Sequence, residues 1–275
     1  MSFGVLNNIS ALSAENALNN TQSALNTTLQ QLATGMRINS GATDPAGLAI
    51  ANGLSANIAA LNQSVHNAND GVGSLQVADG ALSQVTSLLN TAVSIATEAA
   101  TGTVSSAQRD SLQAEYSAIL SEVNRIGTAT SYNGTSVFSA ATTSIYLSDA
   151  TSGGSSTITS TVGALSSTTL ALNTTTLAGT DGTSAQTALT AIDAAIQTVA
   201  NDRGTLGAAI NRLQDASAVM NTQVQNLTAA ENNIMAADIP SAISNLSQQS
   251  VLSQTGMAAL AQANSQEQNI LTLLH

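Results

Sequence analysis

The sequence predicts a mostly α-helical protein: a long antiparallel helical bundle or coiled coil built from the N- and C-terminal segments, with a small β-hairpin insertion between them. Three observations predict it. Apolar residues recur at alternating steps of three and four through long stretches at both ends of the 275-residue chain. The composition is 43% hydrophobic but only 2% aromatic, with neither Trp nor Cys, so the core must be made of Leu, Ile, Val and Ala, which suits helices packed closely along their length. The one break in this texture, residues 139–184, is half Ser and Thr.

The first seam steps through Leu18, Leu25, Leu29, Leu32 and Met36, extended less regularly by Val5, Leu6, Ile9 and Leu12. Its counterpart lies at the other end of the chain. Positions 243 to 274 carry Ile243, Leu246, Met257, Leu260, Leu271 and Leu274 on one heptad stripe, interrupted by Ser250, Ser253, Asn264 and Glu267. Neither stripe buries enough to offset the cost of ordering its own backbone. Each can cover the other, so a terminal helix pair, 1–38 with 241–275, is expected in preference to each end packing on the body.

Helical pattern breaks after Gly35, through Arg37 to Gly41, and restarts at Asp44 and Pro45, where Asp can cap and Pro fits a first turn. Asp238 and Pro240 form the matching break on the returning segment. Residues 39–44 and 236–240 therefore read as paired linkers to a body of 45–138 and 185–235. In that body one seam runs from Ala51 through Leu54, Ile58, Leu61, Val65, Ala68, Val72, Leu75, Asp79 and Leu82 toward Ala100, which implies a rod. Gly71, Gly73 and Gly80 lie within it, and close approach of another backbone is the expected compensation. A shorter helix near Ser106 presents Leu112, Tyr116, Ile119, Val123 and Ile126, and a third long seam runs from Leu189 to Ile234. In residues 139–184, alternation at 143–148 and 157–162 reads as β-hairpins turning at Gly153 and Gly154, or else the segment is a Ser/Thr-rich disordered linker.

Charge narrows the partners. Five arginines, no lysine and a net charge of −11 leave no phosphate-neutralising patch, which argues against nucleic acid and anionic membranes. No apolar run is long enough to span a bilayer, and no basic residue precedes Arg37, so neither membrane insertion nor a cleavable secretory signal is expected. Catalytic chemistry finds little to use. The histidines are His66, inside a helical pattern, and His275; there is no HExxH, thiol, nucleophile elbow or phosphate loop, and Glu115 and Glu122 read as a solvated face. No enzyme, metal or cofactor is expected.

Several segments are more specific. GMRINSGATDPAGLAIA from Gly35 to Ala51, NANDGVGSLQVADGAL from Asn67 to Leu82, and NRI with YNG at 124–126 and 132–134 resemble bacterial flagellin. So do GAAINRL from Gly207 to Leu213, NLTAAENNIMAADI from Asn226 to Ile239, and VLSQTGMAALAQANSQEQNILTLL from Val251 to Leu274. The resemblance covers most of 1–138 and 186–275 in the same order. It implies a subunit that polymerises into the extracellular flagellar filament used for swimming. The paired termini would be its D0 and the three body helices with a β element its D1, in a minimal form without large outer domains. It also implies type III export, an export chaperone on the C-terminal helix, and filament cap and junction proteins as partners. The alternatives are a hook–filament junction protein or a secreted coiled-coil adhesin. Where many flagellins carry arginines contacted by the Toll-like receptor, this chain has Thr91 and Val93, which implies weak or no recognition.

Overall fold

The computed structural model describes residues 8–149 and 156–273. Its elements are α1 (Ile9–Thr34), α2 (Pro45–Ala100), α3 (Ser106–Ala129), β1 (Ser131–Tyr132), β2 (Thr135–Ser136), β3 (Thr142–Leu147), β4 (Ser156–Thr161), α4 (Thr183–Met235) and α5 (Ile239–Leu273). This is the mostly helical class with a small antiparallel β element. Contacts divide it into two units: Met1–Ala56 with Asn226–His275, and Asn57–Gln225.

In the first unit α1 and α5 run antiparallel. The Asn8 side chain caps α1 by accepting from Ala11 N at 2.8 Å, and its amide donates to Ala263 O at 3.2 Å. At the other end Gly35 takes φ 69°, the left-handed cap that glycine adopts without penalty, and Met36 pairs with Ala236 in an antiparallel bridge. Arg37 N donates to Met235 O at 2.6 Å, Ala237 N to Gly35 O at 3.0 Å, and the Arg37 guanidinium to Ile234 O at 2.8 Å. These bonds form a clasp between the outgoing and returning segments. Asp44 Oδ1 then accepts from Gly47 N at 2.8 Å and Pro45 opens α2, while Ile38 is buried. Pro240, assigned to a linker by sequence, instead occupies the first turn of α5, where its missing N–H has no intrahelical partner to lose.

In the second unit the buried stripes of α2 and α4 are rotated from the sequence reading. Leu61, Ala68, Leu75, Leu82 and Leu89 are buried as expected, but the alternate positions are Ser64, Gly71, Ala78, Val85, Ala92 and Ala99, each one residue before the predicted one. On α4, Ala188, Ala195 and Ala209 likewise go inside, leaving Leu189, Ile196 and Ile210 half-buried. The buried line thus alternates leucines with small residues, and the larger apolar neighbour of each small residue fills the flank. A β-carbon at Gly71 would collide with the Ile145 and Leu213 side chains, and one at Gly73 would lie 3.1 Å from the Tyr132 hydroxyl. Side chains, not backbone, press on these two glycines. At Gly80 the expectation of close approach fails, since a β-carbon there would meet nothing within 4 Å.

β3 and β4 pair from Thr142 opposite Thr161 to Leu147 opposite Ser156, and the turn residues Gly153 and Gly154 lie outside the described residues. Ser64 fixes this hairpin to α2 by donating to Ser148 O at 2.9 Å and accepting from Ser148 N at 3.0 Å. Among the described residues, the rest of 139–184 is not β. Residues 163–182 lie on α3 without regular strands, burying Leu165, Leu170, Leu172 and Leu177. Gln113 Oε1 accepts from Leu177 N, Asn124 Oδ1 accepts from Ser167 N at 2.7 Å, and the Tyr116 hydroxyl pairs with Thr175 Oγ1 at 2.6 Å.

Candidate assembly surface

The α1–α5 seam alternates leucines with small and polar residues. Along α1 the less exposed positions are Ala11, Ala14, Leu18, Thr21, Leu25, Thr28 and Leu32; along α5 they are Ala242, Leu246, Gln249, Ser253, Gly256, Leu260 and Ala263. A β-carbon at Gly256 would sit 3.4 Å from Leu18 Cδ1, so here the helices meet closely. Thr28 satisfies its hydroxyl on Ala24 O at 3.0 Å.

The residues singled out by sequence divide accordingly. Leu18, Leu25, Leu32, Leu246 and Leu260 are half-buried in the seam, whereas Leu29, Met36, Ile243 and Met257 are exposed. Leu271 lies on α5 with its side chain outside the described set, and Leu274 lies outside the described residues. Arg37, Asp44, Asp238 and the prolines belong to the clasp and to helix starts; Asp238 O accepts from Ala242 N at 2.9 Å.

Sequence periodicity missed the exposed Val251 and Leu252 on α5; Ile9 and Leu12 on α1, read as irregular extensions of the first seam, are exposed as well. At about 3.6 residues per turn, Ile243 and Leu252 fall on opposite flanks of the α1-facing stripe of α5, and Val251 lies on the side away from it. Ile243 is 52% exposed, Val251 58%, Leu252 49% and Met257 53%. A helix that is apolar on several sides is one that several neighbours cover. Charge gives a second signal. The 26 residues of α1 contain Glu15 as their one charged side chain, and the 35 of α5 contain Glu267 as theirs, so burying either helix desolvates almost no charge. That signal was available in the sequence, segment by segment.

Among the described residues no three of His, Cys, Asp and Glu gather as a metal site, and no helix is long and apolar enough to cross a membrane. His66 is exposed on α2. Glu115 is exposed, and Glu122 pairs with Arg125, whose hydrogen bonds hold the carboxyl below its ordinary range.

The family model of the bacterial flagellin N-terminal helical region matches residues 5–143, and that of the C-terminal helical region matches residues 189–274. Flagellin FlaB2 of Treponema pallidum is 28% identical over 97% of this chain and 98% of its own length. Flagellin of Bacillus subtilis is 30% identical, again over 97% of this chain and 98% of its own. Among solved structures, the crystal structure of Bacillus cereus flagellin aligns with a TM-score of 0.49 and 31% identity, over 60% of this chain and 94% of that one. The two family models and the flagellins of Treponema pallidum and Bacillus subtilis favour a filament subunit over the junction-protein and adhesin alternatives. Carrying both terminal helical regions, in order and nearly end to end, the chain belongs to the bacterial flagellin family and is a structural subunit of the flagellar filament.

Proposed function

We propose that the terminal pair is the assembly element of this subunit: the uncovered apolar sides of α1 and α5 are buried by copies of the same chain, and residues 57–225 form the part between. One observation carries this reading: Ile243, Val251 and Leu252 point to different sides of α5, more than the single helix α1 can cover. Contacts of this kind, repeated head to tail without closing, build a helical tube. In this reading residues 1–38 and 241–275 act as the D0-like pair and 45–138 with 185–235 as the D1-like body. The chain works structurally and not as an enzyme, in an extracellular filament, after type III export with a chaperone on its C-terminal helix and with cap and junction proteins at the filament ends.

Electron microscopy of purified chain with and without residues 243–274 tests the reading. Filaments are expected from the intact chain alone; equal polymerisation by the truncated chain overturns it. Folding of the ends is coupled to assembly, so hydrogen exchange in the free subunit should be fast in α1 and α5 and slow in α2 to α4. Thr91 is exposed and Val93 half-buried on α2, with no guanidinium between them. Weak Toll-like receptor signalling is therefore expected in a reporter assay, against an arginine-bearing flagellin as the strong reference.

A further inference from the structure

Cys and Trp are absent, so the thioethers of five methionines are the side chains of this protein most readily oxidised by a peroxide. Their placement is uneven. Met220, on α4, is 6% exposed and packed into the core. Met235 is half-buried at the end of α4. Met36, in the clasp, is 41% exposed, and Met257, on α5, is 53% exposed. Among the described residues both open methionines lie in the unit of α1 and α5, and Met257 directly follows Gly256, where a β-carbon would lie 3.4 Å from Leu18 Cδ1 on α1. Met257 thus lies at the edge of the seam, on a helix that carries a single charged residue.

We propose that Met257 is a peroxide-sensitive modification site, open in the free subunit and closed once neighbouring copies cover α5, and that its oxidation blocks assembly. The inference rests on the assembly role of α5 given above. The chemistry needs only a peroxide. A sulfur lone pair attacks the O–O bond, one oxygen is transferred to sulfur, and the other leaves as water after proton transfer. Sulfur is oxidised by two electrons and the peroxide is reduced by two. The product sulfoxide is a strong hydrogen-bond acceptor, and α5 offers it no charged donor; its neighbours one turn away on the helix are Ser253, Gln254, Leu260 and Ala261. Burying that acceptor against an apolar neighbour leaves it unpaired, which opposes the contact.

The test treats full-length chain with hydrogen peroxide, once as soluble subunits and once as preformed filaments, and follows gain of oxygen at each methionine by peptide mass spectrometry. Met257 should oxidise at least about tenfold faster in subunits than in filaments, with Met220 slow in both, and oxidised subunits should need about tenfold more protein to polymerise. Met257→Leu keeps volume and apolarity, so it should polymerise normally and lose its sensitivity to peroxide. Equal oxidation of Met257 in the two states overturns the proposal, as does peroxide inhibition undiminished in Met257→Leu or removed instead by Met36→Leu. Failure of the untreated chain to polymerise would mark the assembly reading itself as the fault, since no oxidant is then involved.

Discussion

The amide oxygen of Gln249 is buried between α1 and α5 with no hydrogen-bond partner. A desolvated, unpaired acceptor opposes folding, so Gln249→Leu should stabilise the helix pair by about 1 kcal/mol, read as slower hydrogen exchange across α1 and α5 in the free subunit. Arg109 shows the opposite economy of polar groups. It is 2% exposed and donates to Ala99 O at 2.8 Å, Thr101 O at 3.1 Å and Thr180 O at 3.4 Å. Two of these acceptors lie at and just past the C-terminus of α2, the end of a helix that a cation complements. Arg109→Met keeps the stem and loses all three bonds, and urea unfolding should show a loss of about 3 kcal/mol. Neither residue was legible beforehand. An Arg in the first turn of α3 and a Gln in a polar stretch look like solvated side chains until the packing is known. Tyr116 was legible as core but not as titrating. Burial raises its phenol above the usual 10.0, against the smaller lowering effect of its bond to Thr175. Because the folded state holds the proton more tightly, this contribution is complete below pH 10 and is lost as pH rises through the folded value. Tyr116→Phe should flatten the alkaline limb of a stability–pH curve while leaving its neutral part to reflect the lost bond to Thr175.

At the scale of elements, the number, order and type of helices could be read from periodicity, whereas the rotation of each helix could not. Weighting large apolar residues placed the seam of α2 on Val65, Val72, Asp79 and Thr86; the buried line runs through Ser64, Gly71, Ala78 and Val85. The same step separates Ile243 from Ala242 and Met257 from Gly256 on α5. In a chain with few rings, small residues set how near two helices come, so they, and not the largest side chains, mark the axis of contact. Ala78→Leu should therefore overpack the core and cost about 1 to 3 kcal/mol in chemical unfolding. A substitution at Asp79 touches only its half-exposed pair with Arg203 and should cost under about 1 kcal/mol. The β1–β2 turn was missed although its signal was present: Asn133 and Gly134 take φ 50° and 77°, the two left-handed positions that an Asn-Gly pair supplies in a tight hairpin.

For the whole molecule, the family was legible because its segments stand at both ends in order, while the exposed Val251 and Leu252 were not, since outward apolar residues carry no period of their own. Each copy brings a net charge of −11 to the filament, and the charges avoid α1 and α5. Copies repel at long range and adhere at short range, so the protein concentration needed to polymerise should fall as ionic strength rises from about 0.01 to 0.15 M, measured by sedimentation. The clasp has a consequence in time. The contact of Arg37 with Ile234 spans 197 residues of chain. A ribosome adding about 5 to 20 residues per second needs on the order of 10 to 40 s to cross that interval, and α5 is made only afterwards. During translation α1 is made before α5 and waits without its mate, a stretch whose leucines the cell must keep from adhering to anything else.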